Sequence, residues 1–168
     1  MPAFGLLSDS HGRATTTERA VQVLVDAGAD TLLHLGDVGT VEVIDALVAE
    51  GEDGEELPAH VVFGNTDWDE GALARYAEDL GVVVDHPEGV IQLPGGGELR
   101  FQHGHEAPRM GAAMGGGARY LCHGHSHAQR DERVGSTRVV NPGALFRASV
   151  YSVAVLDTDA DTVRFLEV

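Results

Sequence analysis

The chain has 168 residues, with 27 acidic side chains against 11 basic ones and a formal charge of −16. That length is one domain's worth of chain, enough to bury roughly 70% of the extended surface, and 43% apolar residues exclude a disordered chain. Without a basic patch, duplex nucleic acid and anionic membranes are poor partners, and the single cysteine, Cys122, rules out a disulfide scaffold.

Residues Ala3–Leu7 form a compact apolar run, the first expected strand. Thr15-x-x-Glu18 reads as a capping box opening a helix whose apolar side is Ala20, Val21, Val23, Leu24 and Val25, closed by Gly28. A second strand is expected over Thr31–Leu35, a helix over Val41–Glu50, a solvated acidic loop over 50–57, a third strand over His60–Phe63 and a third helix over Glu70–Leu80. This βαβαβ order argues for a parallel sheet covered by helices. Short strands follow near Val82–Val84, Gly89–Leu93 and Glu98–His103, the last two joined by Pro94-Gly95-Gly96-Gly97. Further strands are expected over Arg119–Cys122, Asp131–Val134, Thr137–Val140, Val150–Asp157 and Thr162–Leu166, with 106–117 a weak helix or mobile loop. No internal repeat or linker appears, so residues 1–168 read as one α/β domain with two sheets.

The chemistry-bearing residues sit where strands end. Strand one runs into Ser8-Asp9-Ser10-His11-Gly12, strand two into Gly36-Asp37, and strand three into Gly64-Asn65-Thr66-Asp67. Downstream, one strand runs into His103-Gly104-His105 and another into His123-Gly124-His125-Ser126-His127. Carboxyl ends of parallel strands are where open α/β sheets place their ligands. Singly, each of these residues reads equally as a turn residue or helix cap; together they form a pattern. Asp9 with His11, and His125 with His127, are two apart and able to point to one side of an extended segment. Carboxylate and imidazole together suit borderline divalent ions such as Mn, Fe, Co, Ni or Zn, and without a Cys cluster a structural zinc site is not expected.

In order, Asp9-x-His11, Gly36-Asp37, Gly64-Asn65-x-Asp67, His103-Gly and Gly124-His125-x-His127 resemble the motifs of the calcineurin-like metallophosphoesterases. Asn141-Pro142-Gly143 also resembles the small bacterial and archaeal phosphodiesterase branch, to which the retromer scaffold subunit is related. The resemblance implies a four-layer α/β/β/α sandwich of two mixed sheets. It also implies two divalent metal ions, Mn foremost: one on Asp9, His11 and His127, a second on Asn65, His103 and His125, with Asp37 bridging. Asp37, Asn65 and His103 would stand closest to the reaction, an in-line attack on a phosphoester, most simply a phosphodiester, by a hydroxide bridging the metals.

Departures bear on activity. Many relatives carry a leaving-group acid, His, directly after the metal-binding Asn; here Thr66 stands there, which points to good leaving groups or to a substitute such as His105 or a water on Asp67. Ala144 replaces a usual Ser, and Arg147 is either a phosphate contact or a surface residue. His34 reads as a core or supporting residue, His60 and His86 as exposed, His123 as undecided, Cys122 as buried, and Trp68 as lining the cleft or anchoring the third helix. The expected partner is a small phosphoester, with a homo-oligomer possible. A protein-binding scaffold of the same fold, or a nuclease, is the competing function; seven filled ligand positions oppose the first, and the charge of −16 the second.

All basic residues are Arg, with no Lys. Either a GC-rich genome or adaptation to molar salt accounts for that; the second also accounts for the acid excess, because a Debye length of ~3 Å at 1 M screens the self-repulsion. Met1-Pro2-Ala3-Phe4 leads directly into a strand with no basic, then apolar, leader, and no run approaches a membrane span, so a cytoplasmic, halophilic protein is expected.

Overall fold

The computed structural model describes residues 3–168. Strands β1 (Ala3–Leu7), β2 (Thr31–His34), β3 (Ala59–Val61) and β4 (Val83–Val84) run parallel, and β10 (Ser152–Asp157) and β11 (Thr162–Glu167) extend the sheet antiparallel in the order β11-β10-β1-β2-β3-β4. The second sheet has the order β5-β6-β7-β9-β8, from β5 (Glu88–Gln92), β6 (Glu98–Gln102), β7 (Tyr120–Cys122), β8 (Arg130–Val134) and β9 (Thr137–Asn141). Its inner strands β6, β7 and β9 are parallel, with β5 and β8 antiparallel at the edges.

Alternation along the strands builds the layers, since successive side chains leave opposite faces. Phe4, Leu6, Leu33 and Val62 pack between the sheets against Leu99, Phe101, Tyr120 and Cys122. From the same strands Leu7, Leu32, Val61 and Phe63 face the other way, onto α1 (Ala14–Asp26), α2 (Val41–Asp45) and α3 (Glu70–Asp79). On the far side of the second sheet Leu121 and Val139 meet Met110 and Ala113 of α4 (Ala107–Gly115). The result is the α/β/β/α sandwich of two mixed sheets. Among the described residues no helix is long and apolar enough to cross a membrane.

Local chemistry explains the helix ends, including two that the sequence misplaces. Gly28, at φ +86°, lets the amides of Gly28 and Ala29 bond back to Val25 and Leu24, the double bond that terminates α1. The other end is not a capping box: a tight turn at His11–Gly12 launches α1 at Ala14, which puts Thr15 inside the first turn, and Arg13 caps it with no side-chain bond. Thr17 instead bonds inward, 3.0 Å from Ser10 Oγ. Helix α2 stops at Asp45 rather than Glu50, because the amides of Leu47 and Val48 tighten onto Ile44 and Asp45 and Glu50 bridges to Glu56. Asp69 caps α3 through Ala72 N–H at 3.2 Å, and 106–117 does hold a helix, opened by Pro108 in its first turn.

Leu33, fully buried between the sheets, should cost about 2–5 kcal/mol when cut to alanine. Val90→Ala, at a position 43% exposed, should stay within about 0.5 kcal/mol. Denaturant midpoints at constant salt measure both, and equal shifts would contradict the two-sheet core.

Candidate metal centre

The hydrogen-bond ladder does not stop where the strands do. Asp9 N–H bonds Gly36 O, His11 N–H bonds Asp37 O, Gly124 N–H bonds His103 O and Leu145 N–H bonds Ser8 O, at 2.9–3.2 Å. Loops from both sheets are thereby zipped into one platform at the carboxyl ends of β1, β2, β3, β6 and β7. Of the seven non-glycine residues with positive φ among the described residues, five are Asp9, His11, Asp37, His125 and His127, at +44° to +69°. Such left-handed backbone costs about 1–3 kcal/mol for a residue with a Cβ and concentrates at functional sites.

Those turns deliver the side chains into two groups. Asp9, His11 and His127 offer ligand atoms within 4.8 Å of one another, as do Asp37, His103 and His125. Asp37 Oδ2 lies between them, 3.4 Å from His11 Nε2 and 3.3 Å from His103 Nε2. Asn65 Oδ1 is 3.2 Å from His103 Nε2, so all seven expected residues meet in one place. The route differs from strand alternation: Asp9 and His11 converge through left-handed turns, and His125 and His127 part company, one to each group.

Each buried carboxylate has one oxygen secured and one open. Asp9 Oδ2 accepts from Ser8 Oγ at 2.7 Å and His125 N–H at 3.0 Å; Asp37 Oδ1 accepts from Thr66 N–H at 3.0 Å. Glycines make room: a Cβ on Gly64 would sit 2.1 Å from Asp37 Oδ1, and one on Gly124 would sit 1.9 Å from Ser8 Oγ. His103 Nδ1–H donates to Leu35 O at 2.8 Å and His127 Nδ1–H to Arg147 O at 3.4 Å, which turns each Nε2 toward the carboxylates. Asp9 Oδ1 and His11 Nε2 are buried without a hydrogen bond, Asp9 Oδ1 lying 3.2 Å from His127 Nε2 and His11 Nε2 lying 3.4 Å from Asp37 Oδ2. That pair, in a set of imidazole, carboxylate and carboxamide donors, fits a divalent ion.

The electrostatics agree. Burial alone would raise the Asp37 carboxyl, but the His103 hydrogen bond and charge and the Thr66 amide hold it well below the usual range. Burial would lower His103, and Asp37 overrides it and raises it. Asp9 is likewise lowered against its burial, chiefly by His11. In effect the two buried groups favour each other's charged forms.

A model of the calcineurin-like phosphoesterase superfamily domain matches residues 3–161. The chain belongs to that superfamily. Among its calcineurin-like relatives, the phosphodiesterase MJ0936 of Methanocaldococcus jannaschii is 25% identical over 171 residues, 96% of each chain. The probable metallophosphoesterase YsnB of Bacillus subtilis is 27% identical, covering 96% of this chain and 89% of that protein. The fold is similar to that of an archaeal phosphodiesterase, with a TM-score of 0.86 at 21% identity over 99% of both chains. It is also similar to zinc-complexed Vps29 of Entamoeba histolytica, at 0.60 and 18% over 99% and 98%.

Several phosphoesterase expectations need correction. Asp67 is chiefly a brace: its buried carboxylate accepts Val38, Gly39 and Gly64 N–H at 2.8–3.1 Å, which staples the Asp37 loop to the Asn65 loop. Trp68 is 92% exposed and anchors no helix. His60 is half-buried against Asp85 at 2.7 Å, not exposed. His123 joins neither ligand group; its Nδ1–H donates to Gly124 O and it accepts from Arg130. Ser8 and Asn141 were overlooked as supports: Asn141 Nδ2 donates to Gly124 O and Ser126 Oγ, pinning the loop of His125 and His127. Nothing in their local sequence marks these bonds beyond their place beside Gly-rich strand ends.

His34 is fully buried, donating from Nε2 to Ser10 Oγ at 2.8 Å and accepting Gly36 N–H at Nδ1. Burial, foremost, lowers its pKa from 6.5 to about 4. The unfolded chain therefore binds a proton that the fold refuses, and stability falls as pH drops from about 6.5 to 4, by about 3 kcal/mol at most. Unfolding of the metal-free protein across that range should show the loss, and His34→Gln should flatten it; an unchanged slope would refute the assignment.

Proposed function

We propose that the chain is a dinuclear metal-dependent phosphodiesterase. One ion would bind Asp9, His11 and His127 and the second Asn65, His103 and His125, with Asp37 shared. The observation that carries this is the buried pair Asp9 Oδ1 and His11 Nε2, neither of them hydrogen-bonded, beside an Asp37 oxygen within reach of both groups. Burying a polar atom unpaired costs about 1–3 kcal/mol, and a cation there removes that cost. Mixed imidazole and oxygen donors suit borderline divalent ions; Mn is the ion proposed, with Ni, Co, Fe or Zn as substitutes. Two such ions supply a water of lowered pKa as the nucleophile and clamp the attacking and leaving oxygens of an in-line displacement.

The chain's own residues set the geometry. Ser8, the His125 amide and the Thr66 amide aim the open oxygens of Asp9 and Asp37, and Leu35 O keeps His103 Nδ1 protonated so that Nε2 can ligate. A diester is favoured over a monoester by the relative named a phosphodiesterase and by the leaving-group side. The Thr66 hydroxyl is too weak an acid to protonate a poor leaving group, and the Asp67 carboxylate is spent chiefly on three backbone amides. His105, its ring 5.4 Å from that of His103 and 6.1 Å from that of His125, is the remaining proton donor at the rim. The substrate is a small phosphoester, and the charge of −16 suits a salt-rich cytoplasm rather than a polyanion partner.

Metal analysis with hydrolysis of bis(p-nitrophenyl) phosphate, in Mn and high salt, tests this. About two ions per chain are expected, with Asp37→Asn and His103→Ala at least about a hundredfold slower. Wild type that binds two ions yet turns over no faster than the variants would end the enzyme reading. His105→Ala should slow an alkyl diester more than the nitrophenyl one; equal slowing would remove it as the acid.

A further inference from the structure

Seven of the eleven arginines are tied to a carboxylate or a backbone carbonyl. The other four, Arg13, Arg19, Arg75 and Arg147, have no ion-pair or hydrogen-bond partner among the described residues, and two of these, Arg13 and Arg147, stand together. Both are exposed, and both rest on the same ring, Phe146, at 4.7 Å and 5.1 Å from its centroid. Phe146 in turn packs on His11, ring centroids 5.0 Å apart, so each guanidinium carbon lies within about 10 Å of a proposed metal ligand. Arg147 is held there by its backbone, in the left-handed region at φ +48°, with its carbonyl facing His127 Nδ1.

What sets these two apart from Arg19 and Arg75 is the ring they share beside His11. An aromatic support fixes a guanidinium through its face and leaves its edge donors and its charge available. A carboxylate partner would have spent both.

We propose that Arg13 and Arg147, braced by Phe146, form a second anion subsite at the His11 edge of the centre, so that the preferred substrate is a small phosphodiester carrying a further phosphoryl group. The assignment rests on the phosphoesterase reading for the scissile group alone. The planar, five-donor guanidinium matches phosphate oxygens in pairs, and two of them select for a second phosphoryl charge that the metal ligands do not reach.

The test compares binding of inorganic tripolyphosphate with that of orthophosphate to the Mn-loaded chain, free Mn in excess, by calorimetry. Coordination by the metals is common to all variants, so the ratio of the two affinities isolates the arginines. Arg13→Gln/Arg147→Gln should lower that ratio at least about tenfold. Arg19→Gln/Arg75→Gln, which removes the same charge elsewhere, should keep the wild-type ratio. No drop in the first double variant, or an equal drop in both, overturns the subsite. Failure of every diester to turn over would sink the phosphoesterase reading while leaving this titration decisive for the arginines.

Discussion

Two carboxylates, Asp9 and Asp37, are held at 0% and 3% exposure where the loops of the two sheets meet, and the need to neutralise them governs the surrounding structure. An uncompensated buried charge costs several kcal/mol. One oxygen of each is satisfied by amides and a hydroxyl, and the other is left facing histidines. The neighbouring glycines, the left-handed turns and the extended hydrogen-bond ladder all follow from bringing backbone that close to a carboxylate. The lowered Asp37 and raised His103 express the same demand for positive charge beside the carboxylates.

Much of this was legible in the chain because strand endings are legible. Apolar runs of four or five residues ending in Asp-x-His, Gly-Asp or Gly-Asn mark both a buried strand and its functional tip, and the seven residues read from those tips converge. The means of convergence was not legible. A two-residue spacing suggests strand alternation, whereas the backbone turns left-handed at five of the seven positions, a conformation that Asp and His do not announce. Asp67 shows the same limit: as a residue type it resembles a ligand or acid, and only the three amides around it make it a staple. The helix misreadings have a tertiary origin too, since α1 takes its start from the His11–Gly12 turn, not from its own capping sequence.

The charge of −16 divides by location. Ion pairs gather on the second sheet, where Arg100 meets Glu88 and Glu98, and Arg138 meets Asp131 and Asp161. Near the centre the pattern reverses: carboxylates are buried, and the guanidiniums at the rim are supported by a ring. An anionic ligand approaching this protein meets repulsion over most of the surface and relief at one edge. Long-range repulsion of that kind is screened by salt far more than the short-range contacts at the centre, so a saline medium would weaken the barrier more than the site.

A protein-binding scaffold with this fold would have no use for these features. Left-handed backbone at a residue with a Cβ is relieved by glycine or asparagine, yet Asp and His occupy five such positions around one cluster. Likewise a buried Asp9 Oδ1 and His11 Nε2 without hydrogen bonds carry a cost that a cation between them would offset. Removing either side chain would lower the cost in a scaffold, and removing both would lower it further. Their joint presence, with Asn141 and Asp67 bracing the loops that carry the neighbouring side chains, fixes the orientation of each donor, as a bound cation would require.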